Sequence, residues 1–258
     1  MKEYKTLKYY ELEENIGKIL IYRPKALNAL NNNLLSELQE VISELESKKL
    51  KTLIITGEGK AFIAGADVQE MRDMTPQQAR DFALAGQTLF KKIEQFPCPV
   101  IAAINGYALG GGMELALSCD IRIADEHAKF GQPEVGLGIT PGFSGTSRLA
   151  KHVGISSAKE LIYTGEIINS EKALQLGLIS RITPEKMVVE EAMKIAKKIN
   201  NNSRIAVAYS KTAIEKSYMQ NIDMANLIER DLFGLCFANE DRKEGMDAFL
   251  NKRKPNFK

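Results

Sequence analysis

Runs rich in β-branched residues alternate along this chain with stretches of helical period, a pattern that selects α/β architecture over a sandwich or a bundle. Residues 16–22 read as a strand. Leu34, Leu35, Leu38, Val41, Ile42 and Leu45 recur at three- and four-residue spacing behind the asparagines at 31, 32 and 33, which predicts a capped amphipathic helix. Residues 53–55 form a short buried strand. Thr75 followed by Pro76 starts a helix expected to run to Phe96, since threonine caps and proline at the first helical position gives up only a donor that had no partner. Residues 100–104 are an apolar strand, NGYALGGG turns it into a helix from near Met113 to Cys119, and residues 121–124 are the next strand. From about residue 155 the pattern reads as helices alone, near 155–163, 171–176, 185–200, 203–217, 222–238 and 240–252. A β-rich core over residues 1–200 with a helical appendage over 201–258 is therefore expected.

The chain has 258 residues, 44% of them apolar, enough for a sizeable core. Its 35 basic and 33 acidic residues nearly cancel, so no nucleic-acid or membrane partner is indicated and a polyanion would have to meet a local patch. Cys98, Cys119 and Cys236 are too scattered for a disulfide framework or a zinc site and read as free thiols of a reducing compartment. The opening MKEYKTLKYYELEEN lacks the apolar core of an export signal and carries acids that an organelle leader avoids. A cytoplasmic location is expected. No apolar stretch approaches the roughly 18 residues of a membrane span.

Two loops invite a ligand oxygen. In AFIAGAD, residues 61–67, small side chains let backbone N–H groups approach closely, and in NGYALGGGMEL, residues 105–115, glycines precede a helix whose free N–H groups and dipole face one point. Converging, two such donors make an oxyanion hole. Taken alone, a glycine run before a helix is most often a tight turn, and a first-turn acid such as Glu114 is most often an ordinary partner of the dipole. The setting of the acids argues otherwise. Glu114 lies among Gly112, Met113, Leu115 and Ala116, and Glu134 between Pro133 and Val135, where a charge without purpose or partner is costly. Adding H and OH across an activated alkene needs one group to take a proton from water and another to give one to carbon, and two carboxyls flanking a dry pocket can do both.

Competing chemistries find little support. GGGMEL lacks the Walker and GxGxxG patterns, no GxSxG elbow surrounds Ser144, and His127 and His152 sit in polar surface settings. No metal site and no cofactor are expected. On charge alone the ending KRKPNFK reads equally as a solvated basic tail or as a segment able to meet phosphates.

The segments AFIAGAD, NGYALGGGMELALSCDIRIA and FGQPEVGLGITPGFSGTSRL, together with RPKALNAL and DAFLNKRKPNFK, resemble the crotonase superfamily over nearly the whole chain, closest to its short-chain enoyl-CoA hydratase branch. The resemblance implies a crotonase-like spiral of ββα turns, a C-terminal helical trimerisation region and a homo-hexamer of two stacked trimers. It implies an acyl-CoA substrate, with CoA part of the substrate and not a cofactor, in fatty-acid or butyrate metabolism. It places Glu114 and Glu134 as catalytic acids, the N–H groups of Ala66 and Gly111 as the oxyanion hole, and Gly142 as a donor to the reacting water. Lys25, Ala26 and Leu27 fall at the CoA contact, as does the loop Ala64, Gly65, Ala66, Asp67 and Val68. Phe249 and Lys252 fall where a neighbouring subunit reaches the nucleotide. Ser144 stands where glycine is usual and Ser147 where glutamine is common, which bears on the shape of that loop. Because one scaffold hosts many reactions, the glutamate pair selects a hydratase: family isomerases generally keep an acid at the Glu134 position and lose the one at Glu114. An isomerase is the first alternative, and an RNA-binding or scaffold protein on the same fold the second.

Overall fold

The structure is a computed structural model and describes residues 2–13, 15–218 and 220–257. Its core repeats one move: a strand joins a large sheet, the next joins a small one, and helix returns the chain. β1 (Leu7–Glu11) and β2 (Ile16–Ile21) form an antiparallel pair with Tyr10 opposite Lys18. After α1 (Asn32–Glu46), β3 (Thr52–Gly57) enters the large sheet beside β2 and β4 (Ala61–Ala64) the small one. The short α2 (Val68–Met71) and long α3 (Pro76–Glu94) lead to β5 (Val100–Ile104), β6 (Tyr107–Leu109) and α4 (Gly111–Ser118). Then come β7 (Ile121–Asp125), β8 (Lys129–Gly131), α5 (Gly145–Val153) and α6 (Ile155–Thr164). β9 (Ile168–Asn169), α7 (Ser170–Gln175), β10 (Arg181–Thr183) and α8 (Val188–Asn200) complete the core. The sheets run β1-β2-β3-β5-β7-β10 and β4-β6-β8-β9, parallel except at β1–β2 and β8–β9.

Every residue of β3 and β5 is buried because the large sheet is covered on both faces. Ile16, Ile54, Ile101 and Ile123 point to one side, where Val188, Ala192 and Ala196 of α8 close over them. Ile19, Ile55, Val100 and Ile104 point to the other, joining Leu34, Leu38 and Ile42 of α1 and Leu89, Phe90 and Ile93 of α3. Both helices start as read. Asn31 accepts from the Leu34 N–H at 2.9 Å, and Thr75 exchanges hydrogen bonds with Gln78 in a capping box ahead of Pro76.

The expectation of helices alone after residue 155 is corrected by β9 and β10, the latter pairing Ile182 with Ala124 of β7. Strands of two or three residues carry no alternation to read, and their pairing is imposed by the sheet they join. β4, β6 and β8, each at most four residues long, escaped for the same reason. α3 stops at Glu94, and α4 begins at Gly111.

Beyond Asn200 lie α9 (Arg204–Ser217), α10 (Ile222–Cys236) and α11 (Glu240–Leu250), whose described residues contribute only Ala248 to the buried set. α9 is fastened to the core by Lys211, whose Nζ reaches Asp120 Oδ2 at 2.8 Å and the Cys98 carbonyl at 3.2 Å. Among the described residues no helix is long and apolar enough to cross a membrane.

α4 packs so closely on β4 that Gly112 has no room for a side chain: a methyl there would lie 2.0 Å from the Ile63 carbonyl oxygen. Backbone cannot yield as a flexible side chain would. Gly112→Ala should therefore destabilise the fold by at least about 1–3 kcal/mol, read as a lower urea midpoint at unchanged slope, and an unshifted midpoint would contradict this packing.

Candidate active site

Gly110, with φ +49 and ψ −123, makes the turn from β6 into α4 and places Glu114 in the first turn of a helix whose eight residues are all buried. The Glu114 side chain is 1% exposed, and its Oε1 accepts from the backbone N–H groups of Phe143 at 2.7 Å and Gly145 at 2.6 Å. Burial, and then the Glu134 charge, push its carboxyl up to about 7, against the pull of those two hydrogen bonds and of Arg148. The loop that donates is held from behind. The Phe143 ring meets Phe82 and Phe90 edge to face at 5.2 and 5.5 Å, seated on Gly86, where a methyl would fall 2.3 Å from the ring. Gln87 donates to the Gly142 carbonyl at 2.8 Å, and buried Arg148 donates to the Phe143 carbonyl while paired with Glu94 at 3.1 Å. Ser144 sits at φ +77, which explains why glycine is the usual choice there; Ser147 donates back to its carbonyl at 3.1 Å.

Glu134 opens a 3₁₀ turn, Pro133–Leu137, is half-buried, and has its carboxyl raised by that burial. It faces Gly110, where a methyl would lie 2.8 Å from its Oε1. Between the two acids stands Gln132, fully buried. With its amide nitrogen toward Glu134, the orientation that hydrogen bonding requires, Gln132 donates to both carboxylate oxygens at 3.0 and 3.1 Å. A methyl on Gly145 would lie 2.8 Å from both the Gln132 amide and Glu114 Oε1. The structure thus brings the two predicted acids together around an amide that sequence reasoning passed over. Its signal was available: a polar residue inside the apolar FGQPEV run, two positions before the acid.

The AFIAGAD loop lies against this turn, Gly65 Cα being 3.6 Å from where a methyl on Gly110 would sit. Ala66 forms a single parallel bridge with Leu30. Leu30 donates to the Gly65 carbonyl at 2.9 Å and Asp67 donates to the Leu30 carbonyl at 2.7 Å, so the Ala66 N–H is directed to the other side. Among the described residues the N–H groups of Ala66, Gly111 and Gly142 meet no protein acceptor. Ala64, Gly65 and Asp67 are half-buried and Val68 is exposed.

The predicted CoA loop, with Lys25 and Leu27 exposed and Ala26 half-buried, is a 3₁₀ turn that ends on two left-handed residues, Leu27 at φ 48 and Asn28 at φ 61. Asn28 is completely buried and donates to the carbonyls of Glu58 and Ala61 at 2.9 and 2.7 Å. Arg23 Nη2 pairs with Asp67 Oδ2 at 3.0 Å. Neither Arg23 nor Asn28 stood out in the sequence. At the other end of the chain Phe249 is 82% exposed and Lys252 is open to solvent, and no interaction among the described residues joins either to Glu114 or Glu134. Arg253 is engaged by Glu244, whose carboxyl that pairing draws down to about 2.

His127 faces solvent. His152 rims a cavity of about 470 Å³ behind α4, and desolvation and Arg122 push its imidazole down to about 4. A second cavity, of about 700 Å³ between α3, α5 and α9, holds neither candidate acid. Burial pushes the Cys98 and Cys119 thiols up to about 12, leaving them unreactive. Among the described residues no cluster of three histidines, cysteines or acids is placed to hold a metal.

Because the raised carboxyl of Glu114 opposes ionisation in the folded state, its penalty is absent below about pH 4.5, grows up to about pH 7 and is constant above. Glu114→Gln should be more stable than the parent at pH 8, by up to roughly 3 kcal/mol at about 1.4 per pH unit. Urea unfolding across this range should show the excess rising with pH, and a constant or falling excess would contradict the burial argument.

The chain matches the enoyl-CoA hydratase/isomerase family over residues 11–258. It is 49% identical to a crotonyl-CoA hydratase of Syntrophomonas wolfei over 249 residues, 96% of each chain. It is 48% identical to a short-chain-enoyl-CoA hydratase of Clostridium acetobutylicum over 246 residues, 95% of this chain and 94% of that one. A crystal structure of enoyl-CoA hydratase from Bacillus anthracis superimposes with a TM-score of 0.96 at 39% identity, covering 98% of this chain and 99% of that one. By this match over nearly its whole length, the chain belongs to the enoyl-CoA hydratase/isomerase family.

Proposed function

We propose that this chain is a short-chain enoyl-CoA hydratase, adding water reversibly and with syn geometry to 2-trans-enoyl-CoA thioesters such as crotonyl-CoA to give 3-hydroxyacyl-CoA. The observation that carries the reading is the pair of facing carboxyls, Glu114 and Glu134, both with raised affinity for a proton and separated by the Gln132 amide. Because the two carboxyls interact, their titration belongs to the pair. One member accepts a proton as water oxygen bonds to C3, and the other delivers a proton to C2. In between, the electron pair of the alkene moves onto the thioester oxygen, where the Ala66 and Gly111 N–H groups receive it. The Gly142 N–H, beside the loop that holds Glu114, is the natural donor to the reacting water.

Lys25, Ala26, Leu27 and the Ala64 to Val68 loop form the CoA-binding side of this proposal, with Phe249 and Lys252 supplied to a neighbouring subunit's nucleotide. A homo-hexamer of two trimers, held by residues 201–258, is supported by the apolar side chains that α10 exposes, among them Ile222, Phe233 and Leu235. The short-chain preference is supported by the likeness to a crotonyl-CoA hydratase and a short-chain-enoyl-CoA hydratase at 49% and 48% identity. A cytoplasmic enzyme of fatty-acid or butyrate metabolism fits these features. An isomerase needs only one acid, so the presence of both favours hydration, and the nearly balanced charge gives an RNA-binding reading no foothold.

Glu114→Gln and Glu134→Gln should each lower kcat on crotonyl-CoA at least about a hundredfold with CoA-ester binding retained, since positioned proton transfer supplies 10²–10⁴. Loss of the conjugated thioester absorbance follows the reaction. Near-parental kcat in either variant, on every enoyl-CoA tried, would remove the two-carboxylate mechanism. No metal or redox cofactor takes part in these steps, so turnover should persist in EDTA; activity lost to the chelator and restored by zinc or magnesium would overturn that.

A further inference from the structure

The loop proposed to hold CoA and the loop that carries the Ala66 N–H are fastened to one another rather than standing side by side. Three backbone hydrogen bonds join them and straddle Ala66: Ala64 N–H to the Leu27 carbonyl at 3.0 Å, Leu30 N–H to Gly65 at 2.9 Å and Asp67 N–H to Leu30 at 2.7 Å. Arg23 closes the unit from the outside. Its Nη2 meets Asp67 Oδ2 at 3.0 Å, its Nη1 donates to the Ala29 carbonyl, and its backbone N–H donates to Asn28 Oδ1 at 2.8 Å.

Asp67 occupies the N-cap position of α2, where an aspartate ordinarily accepts from the helix, yet its side chain makes no capping bond and turns to Arg23 instead. The pair is about four-fifths buried on both sides, which places it beyond the exposed ion pairs that contribute nothing measurable. Leu27 and Asn28, two successive left-handed residues without a glycine, are held in a conformation such residues leave unless their surroundings over-determine it. A guanidinium fork can bridge a carboxylate on one loop and a carbonyl on the other. A lysine, with one compact charge, cannot span both in the same geometry.

We infer that Arg23 is a positioning residue: through Asp67 and Ala29 it couples the CoA-binding loop to the oxyanion donor, so that engaging the nucleotide end of the substrate sets the Ala66 N–H for the transition state. Binding energy from a non-reacting part of the substrate is thereby spent on kcat. The inference rests on the hydratase reading above.

The test compares kcat and KM for crotonyl-CoA and for crotonyl-pantetheine, which lacks the nucleotide, in the parent, Arg23→Lys and Arg23→Met. In the parent, kcat should be higher on the CoA ester. Arg23→Met should lower kcat on crotonyl-CoA about ten- to a hundredfold, the range that misplacing one reacting group reaches, while changing kcat on the pantetheine ester and both KM values less than about threefold. Arg23→Lys, the milder change and the safeguard should the methionine variant not fold, should lie between. Equal losses of kcat on the two esters, or a rise in KM alone, would show a merely structural or a phosphate-binding arginine. A parent with equal kcat on both esters would also overturn the coupling and leave the hydratase reading intact. A parent that turns over no enoyl-CoA would defeat the hydratase reading itself.

Discussion

The Glu114 carboxyl is almost without solvent, and what compensates it is two backbone N–H groups from a loop 29 and 31 residues further along the chain. A buried carboxyl with no partners would be held neutral, and one with many partners would be held permanently ionised. Glu114 stands between these limits because burial and Glu134 push one way while Phe143, Gly145 and Arg148 pull the other. Much of the surrounding structure exists to fix that loop. The three phenylalanines, the bare face of Gly86, the Gln87 bond to Gly142 and the Arg148–Glu94 pair each take away a direction in which residues 142–145 could move. All of these except Phe143 itself come from α3 or α5, so the packing of those helices reaches the proton affinity of the acid.

The two-sheet core supplies the complementary constraint. β4 and β6 are short because their task is to end at the right place: Ala64 delivers the Gly65–Ala66 turn, and Leu109 delivers the Gly110 turn into α4, from adjacent parallel strands. Strand pairing thus sets where both turns begin. The closeness of α4 to β4 also explains Gly112, whose position against Ile63 tolerates no side chain.

These features were unevenly legible in the sequence. Glu114 and Glu134 were readable because each acid sits among apolar or glycine neighbours, a local contradiction that implies a purpose. The long elements, α1, α3, β3 and β5, announced themselves by period and caps. The two- to four-residue strands did not, since a period needs more length than they have. Gln132, Arg23 and Asn28 were missed for another reason. A glutamine next to a proline, or an arginine in an RPKALNAL turn, looks like ordinary surface chemistry until folding brings Glu134 or Asp67 to it from 44 residues away in the second case. Ser144 was the reverse, visible as a departure and explained only when its left-handed backbone was seen.

The helical end of the chain exposes a different relation between fold and site. α9 is tied to the core through Lys211, whose partner Asp120 closes the far end of the segment that begins with Glu114's helix and also accepts from the Val100 N–H at 2.7 Å. α4 is therefore pinned at both ends: at its start by the glycine turn and the Glu114 hydrogen bonds, and just past its end by a nearly buried ion pair to α9. A buried pair of this kind contributes little net stability compared with apolar packing, but leaving either charge without the other is costly, so it specifies a single docking position. The helix that carries the acid thus keeps one orientation relative to the α9–α11 region. An apolar seam in the same place would have permitted sliding, and a displacement of even 1 Å at Glu114 would separate its carboxylate from the two N–H groups that set its proton affinity.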